Sequence, residues 1–230
     1  MLKNISTPLI LVNFKAYAEA TGEKAFNLAK IAEKTSRETG VCIGVAPQLT
    51  DLRKIAMEVE VPVFAQHVDP FKPGAYTGYV TAEAIKDAGA AGSLINHSER
   101  QIKLSEIDEV INRLKSLEMI SVVCADTEKA SAAAAALNPV MVAIEPPELI
   151  GSGIAVSKAK PEIVKGAVAV IEKVNSKVIV LCGAGITKGE DVSAALKLGA
   201  KGVLVASGVV KAKNQEEALL DLAEASRKTE

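Results

Sequence analysis

At 230 residues, 49% of them apolar and 24% charged, the chain has the composition of a folded globular protein with material for a large core, and its length suits one or two domains. Lys and Arg number 27 against 28 Asp and Glu, a net charge of −1, so no global field recruits nucleic acid or an anionic membrane and any anion site must be local. Cys42, Cys124 and Cys182 lie in apolar runs without CxxC spacing, which argues against a disulfide framework and reads as reduced, buried thiols in a cytoplasmic protein.

Short β-branched runs recur along the chain. In order they are LILVNFK (9–15), VCIGVAP (41–47), VPVFAQ (61–66), GSLINH (92–97), ISVVCAD (120–126), VMVAIEP (140–146), KVIVLCGAG (177–185) and GVLVASG (202–208). Most are apolar at nearly every position, the mark of parallel strands covered on both faces. Between them run amphipathic stretches. GEKAFNLAKIAEKTSRETG predicts a helix closed by Gly40 as C-cap. SEIDEVINRLKSLEM predicts a helix with Ser105 as cap and Asp108 as its capping-box acid. SAAAAALNP (131–139) predicts a short helix stopped before Pro139. The first fifteen residues hold an apolar run too short for a signal segment, and no run approaches a membrane span, so a cytoplasmic, membrane-free protein is expected.

Strict β–α alternation without a linker leaves a doubly wound sheet or a closed barrel. Eight units of roughly 29 residues match a (β/α)₈ barrel, an α/β fold with a closed eight-stranded parallel sheet, spanning residues 1–230 as one domain.

In such a barrel the chemistry belongs at the C-terminal ends of the strands. Those ends present Asn13 and Lys15, Gln66, Asn96 and His97, Glu145, and then Gly183, Gly185, Ala206, Ser207 and Gly208. That is one base, one imidazole, one cation and a small-residue end that lets backbone N–H groups approach a phosphate. A charge inside a strand is costly unless paired or used, which singles out Lys15 and Glu145; an ion pair between them plugging the barrel mouth is the plainer alternative. Ser98 is placed to cap a turn whose N–H dipoles face the His97 ring, favouring a neutral imidazole that can donate to a carbonyl. His67 reads as structural. GAGITKG (183–189) is a poor match to a dinucleotide glycine motif, and the two histidines lack metal-ligand spacing, so no cofactor and no metal are expected.

NFK at 13–15, AQ at 65–66, GAYTGY at 74–79, HSER at 97–100, AIEPPELIGSG at 143–153, CGAGI at 182–186 and LVASG at 204–208 resemble, in order and along nearly the whole chain, the triosephosphate isomerase family in its compact archaeal form. The resemblance implies a cofactor-independent aldose–ketose isomerase, an intramolecular oxidoreductase. Its reaction is the interconversion of dihydroxyacetone phosphate and D-glyceraldehyde 3-phosphate in glycolysis and gluconeogenesis. Glu145 matches the base, His97 the electrophile, Lys15 the cation facing the substrate, and Asn13 an adjacent contact; the carboxylate with a neutral histidine is the family's established pairing. The phosphate is implied against Ile150, Gly185, Ala206 and Ser207. Here the chain departs from the commoner pattern, with Gly185 in place of a serine and Ala206 and Ser207 in place of two glycines. Asn96 likewise replaces a glycine and His67 an asparagine.

A reactive enediolate phosphate needs water excluded, which gives the loop after Glu145 a purpose. Pro146 biases Glu145 toward extended backbone, Pro147 stiffens one hinge and Gly151 and Gly153 loosen the other, so that Leu149 and Ile150 ride on a lid; a rigid connection is the alternative. Phe71, Tyr76 and Tyr79 crowd a polar-flanked loop and predict an interface. The resemblance places that loop, near Thr77, against a neighbouring subunit's site, in a homodimer at least and a homotetramer by likeness to the short form. Two rivals stay open: a Schiff-base aldolase with Lys15 as nucleophile, and a silent barrel that only binds phosphorylated metabolites.

Overall fold

The computed structural model describes residues 5–146 and 155–229. Eight strands follow one another in the chain: β1 Leu9–Asn13, β2 Cys42–Ala46, β3 Phe64–Ala65, β4 Gly92–Ile95, β5 Ile120–Ala125, β6 Met141–Ile144, β7 Ile179–Gly183 and β8 Gly202–Val205. Every pairing is parallel, and the sheet runs β2-β1-β8-β7-β6-β5-β4-β3. A parallel bridge between Val45 and Val63 joins its two edges, with the Val45 N–H on the Pro62 carbonyl at 3.0 Å. The ring closes, as the barrel reading expects, and the doubly wound alternative falls away.

All eight expected strands are present, but the third is much shorter than its apolar run. Pro62 has no N–H to donate, so the start of that run meets β2 through a carbonyl and a single bridge rather than a ladder.

The near-continuous apolar runs have two faces to cover. Leu9, Leu11, Phe64, Leu94, Val122 and Met141 belong to a buried cluster drawn from all eight strands and no helix, which puts it inside the ring. Their sequence neighbours, such as Ile10, Val12 and Val123, belong to the larger cluster beneath the helices. Gly44 makes room within the ring, since a Cβ there would meet the Phe64 ring at 3.1 Å.

Helix Glu23–Thr39 ends as expected, Gly40 adopting left-handed backbone and donating to the Ser36 carbonyl at 2.8 Å. Two starts differ from expectation. Helix Leu104–Ser116 begins ahead of Ser105, because Glu106 rather than Asp108 reaches back to the Lys103 N–H at 2.9 Å and satisfies the first free donor. The alanine-rich helix runs Glu128–Ala136, capped by the Thr127 hydroxyl on the Ala130 N–H, and stops before Pro139.

Candidate active site

The C-terminal strand ends share one rim, and the candidate groups gather there. Asn13 closes β1 with its side chain buried, and its Oδ1 accepts the Lys15 N–H at 3.0 Å. Lys15 has left-handed backbone (φ 48°), unfavourable for a residue with a long side chain. The Gln66 amide supports it from the end of β3, donating to the Lys15 and Ala46 carbonyls at 2.9 and 3.0 Å. Amides from two strands thereby hold a strained turn that aims the ammonium over the mouth. Its partner is Glu99, at 2.7 Å. Among the described residues no ion pair joins Lys15 to Glu145, so the plugged-mouth alternative does not form.

Glu145 follows β6 directly, its N–H on the Ala125 carbonyl at 2.8 Å and its side chain buried. The carboxylate rests on Gly183 of β7, where a Cβ would come within 2.6 Å of Glu145 Cγ. Across the mouth, His97 Nδ1 accepts the Glu99 N–H at 3.2 Å. An acceptor Nδ1 leaves the proton of the neutral ring on Nε2. The Arg100 N–H closes the same turn on the His97 carbonyl at 2.7 Å, so it is the Glu99 N–H, rather than a turn capped by Ser98, that meets the ring. His97 Nε2 and Glu145 Oε2 are both buried without a hydrogen bond among the described residues and stand 3.6 Å apart, too far to satisfy each other. A donor and an acceptor so held are a place for a third molecule.

Gly185 and Ala184 both take left-handed backbone, φ 73° and 70°. Ala206 caps the short helix Ser207–Val210. A Cβ on Gly208 would lie 2.4 Å from the Ile186 carbonyl, so glycine there lets the ends of β7 and β8 close up. Asn13, Lys15, Glu145, Gly185, Ala206 and Ser207 line one continuous pocket. Ile150 and the expected lid, with Pro147, Leu149, Gly151 and Gly153, lie outside the described residues.

His67 is buried and bonded, in keeping with its structural reading, but its Asp69 partner and the role of Gly183 escaped sequence reasoning. His67 is buried against Asp69, Nε2 to Oδ1 3.0 Å, and Asp69 also accepts the Val80 N–H at 2.7 Å and faces Arg100 at 3.6 Å. Burial alone would raise this carboxyl, but the Val80 bond, His67 and Arg100 outweigh it and hold it below the ordinary range. The HxD spacing was the available signal. The cluster ties down the base of the 69–80 loop, where Phe71 stacks on Tyr76 at 4.4 Å and Tyr76 and Tyr79 remain exposed. The steric role of Gly183 had no signal, because the barrel reading puts β7 beside β6 but does not give the register that sets Gly183 against Glu145. No group of three or more metal-ligating side chains forms among the described residues.

Fold and site together define a (β/α)₈ barrel with a carboxylate, an imidazole and an ammonium converging beside a pocket lined in part by small residues. The family model described as triosephosphate isomerase matches residues 8–226. The chain is 56% identical to the triosephosphate isomerase of Methanocaldococcus jannaschii, over 93% of this chain and 98% of that protein. It is 55% identical to that of Methanothermobacter thermautotrophicus, over 94% of each, and 52% identical to that of Methanosarcina acetivorans, over 95% of this chain and 98% of that protein. The chain belongs to the triosephosphate isomerase family, in agreement with the archaeal resemblance.

Two thiols border the Glu145 carboxylate. Burial, reinforced by that carboxylate, pushes Cys182 up to about 12 and Cys124 well above the ordinary thiol value. Cys42 is only half-buried, unlike the expectation for it. A raised value keeps the proton on to higher pH, and the thiolate is the reactive form. In the folded protein at pH 8, a colorimetric disulfide reagent should leave Cys124 and Cys182 unmodified until denaturant is added, with Cys42 reacting first. Rapid native-state modification of Cys124 would mean that the carboxylate is not shielded as described.

Proposed function

We propose that residues 1–230 form one barrel domain that interconverts dihydroxyacetone phosphate and D-glyceraldehyde 3-phosphate without a cofactor, serving glycolysis and gluconeogenesis in the cytoplasm. The observation that carries the mechanism is the unbonded pair, Glu145 Oε2 and His97 Nε2, buried 3.6 Å apart. In this reading Glu145 takes a proton from the carbon beside the substrate carbonyl while His97 Nε2–H hydrogen-bonds the carbonyl oxygen, giving an enediolate. Lys15 faces the developing negative charge, with Asn13 fixing its backbone. Return of the proton from Glu145 to the adjacent carbon, with oxygen protons relayed through His97, completes the exchange. The phosphate lies against backbone at Gly185, Ala206 and Ser207 in this reading; the Ile150 contact implied by the resemblance falls outside the described residues.

The aldolase reading loses support, because an ammonium bound to Glu99 at 2.7 Å lacks the lone pair that a Schiff-base nucleophile needs. Turnover separates the isomerase from a silent binder. Glyceraldehyde 3-phosphate should be isomerised by the wild-type chain without added metal or nucleotide. Glu145→Asp, which withdraws the carboxylate by one methylene, should lower kcat by about 10²-fold or more. No wild-type turnover would favour the silent barrel, and an adduct trapped by borohydride would revive the aldolase.

The same proposal includes self-association, a dimer at the least and a tetramer by likeness to the short form, through the exposed aromatics of the 69–80 loop. Tyr76 and Tyr79 are 44% and 54% exposed, which leaves apolar ring surface for a partner to cover. Light scattering on wild type should give a dimer or tetramer, and Tyr76→Ser with Tyr79→Ser should shift it toward monomer; a fully active wild-type monomer would contradict this.

A further inference from the structure

Asn96 stands one residue past β4 in left-handed backbone (φ 59°), a conformation that asparagine tolerates far better than most side chains. Its amide makes two bonds at once. Nδ2 donates to the Cys124 carbonyl of β5 at 3.1 Å, and Oδ1 accepts the Ile102 N–H at 3.0 Å. The second bond closes the segment 96–102 on itself, and the first fastens that segment to β5. Between its ends lie His97, whose ring faces Glu145, and Glu99, which pairs with Lys15 and donates its N–H to the His97 ring.

No side chain of β5 has a place in the proposed chemistry, yet the strand holds both reacting groups. Its Cys124 carbonyl receives Asn96, and the next carbonyl, that of Ala125, receives the Glu145 N–H at 2.8 Å. Consecutive carbonyls of one strand therefore register the imidazole segment against the base. The Glu99 N–H to Nδ1 bond, at 3.2 Å, is at the long end of the useful range, so loosening of the turn that the Ile102 N–H closes on Asn96 Oδ1 would release Nδ1 and let the proton settle there.

We propose that Asn96 is a positioning residue, whose amide clamps the His97 segment to β5 and so sets both the Nε2–Oε2 gap and the tautomer of the imidazole. The proposal rests on the isomerase reading of the site. Asn96→Gly is the clean variant, because glycine, the residue of the commoner pattern at this position, keeps the left-handed backbone without strain and removes both bonds, so its effect measures how far this chain's own segment relies on the amide. Its kcat for glyceraldehyde 3-phosphate should fall about 10²-fold, the scale of a 1 Å misplacement of reacting atoms. KM should stay within about twofold, because the phosphate contacts are elsewhere.

Nitrogen-15 spectra of the ligand-free protein give a readout independent of turnover. The chain has two histidines, so His67 serves as an internal reference. Wild-type His97 should appear as the Nε2–H tautomer and the variant as a mixture, with the His67 signals unmoved. Asn96→Asp keeps an acceptor for Ile102 but sets a carboxylate oxygen against the Cys124 carbonyl, and should not recover the lost kcat. A folded Asn96→Gly protein with wild-type kcat and an unchanged His97 spectrum would overturn the proposal, whatever its melting temperature. Should the wild type itself fail to isomerise, the spectra would still report on the clamp, so the two failures are distinguishable.

Discussion

A carboxylate withdrawn from water loses hydration worth several kcal/mol unless something replaces it. At the mouth of this barrel Glu145 is buried, its backbone is bonded to Ala125, and yet Oε2 has no hydrogen bond among the described residues. The surrounding architecture supports that placement. Gly183 provides the hollow in which the side chain lies, and the two thiols beside it keep their protons, so they add no second negative charge. Lys15 supplies a cation in the same pocket but spends its direct contact on Glu99, leaving the carboxylate poised rather than neutralised.

The opposing imidazole is held by a separate set of bonds that converge on the same strand. His97 is oriented by backbone N–H, and its segment is anchored through Asn96 to β5, the strand on which Glu145 is also registered. Rigid strand ends thus set a geometry that loop residues alone would hold less well. The strain at Lys15 and Ala184 sits around the same pocket, where left-handed backbone, which Gly185 adopts freely, turns the chain tightly.

Much of this was legible in the chain because barrel strands advertise themselves. Apolar runs such as LILVN and ISVVCA are covered on both sides, and their polar last residues fall at one rim, which brought Asn13, Lys15, His97 and Glu145 forward together. What stayed hidden depends on neighbours in space. The third strand shortens because of one missing N–H at Pro62, and helix Leu104–Ser116 starts early because Glu106 had the better reach. Glu99 as the partner of Lys15, Gly183 as the seat of Glu145 and Asn96 as a bridge to Cys124 all require the register between strands and the reach of side chains across the rim, which the barrel reading alone does not supply. The hinge reading of the loop after Pro146 concerns residues outside those described.

The central claim is that the reacting atoms lie against His97 Nε2 and Glu145 Oε2 together, bridging the unbonded pair. A crystal structure with a phosphorylated two-carbon acid, whose planar carboxylate resembles the enediolate, tests it most directly. The account predicts one carboxylate oxygen within hydrogen-bond reach of His97 Nε2, the acid's carbons against Glu145, and the phosphate against Gly185, Ala206 and Ser207. A ligand seated with its carboxylate away from both side chains, or no binding at all, would contradict it.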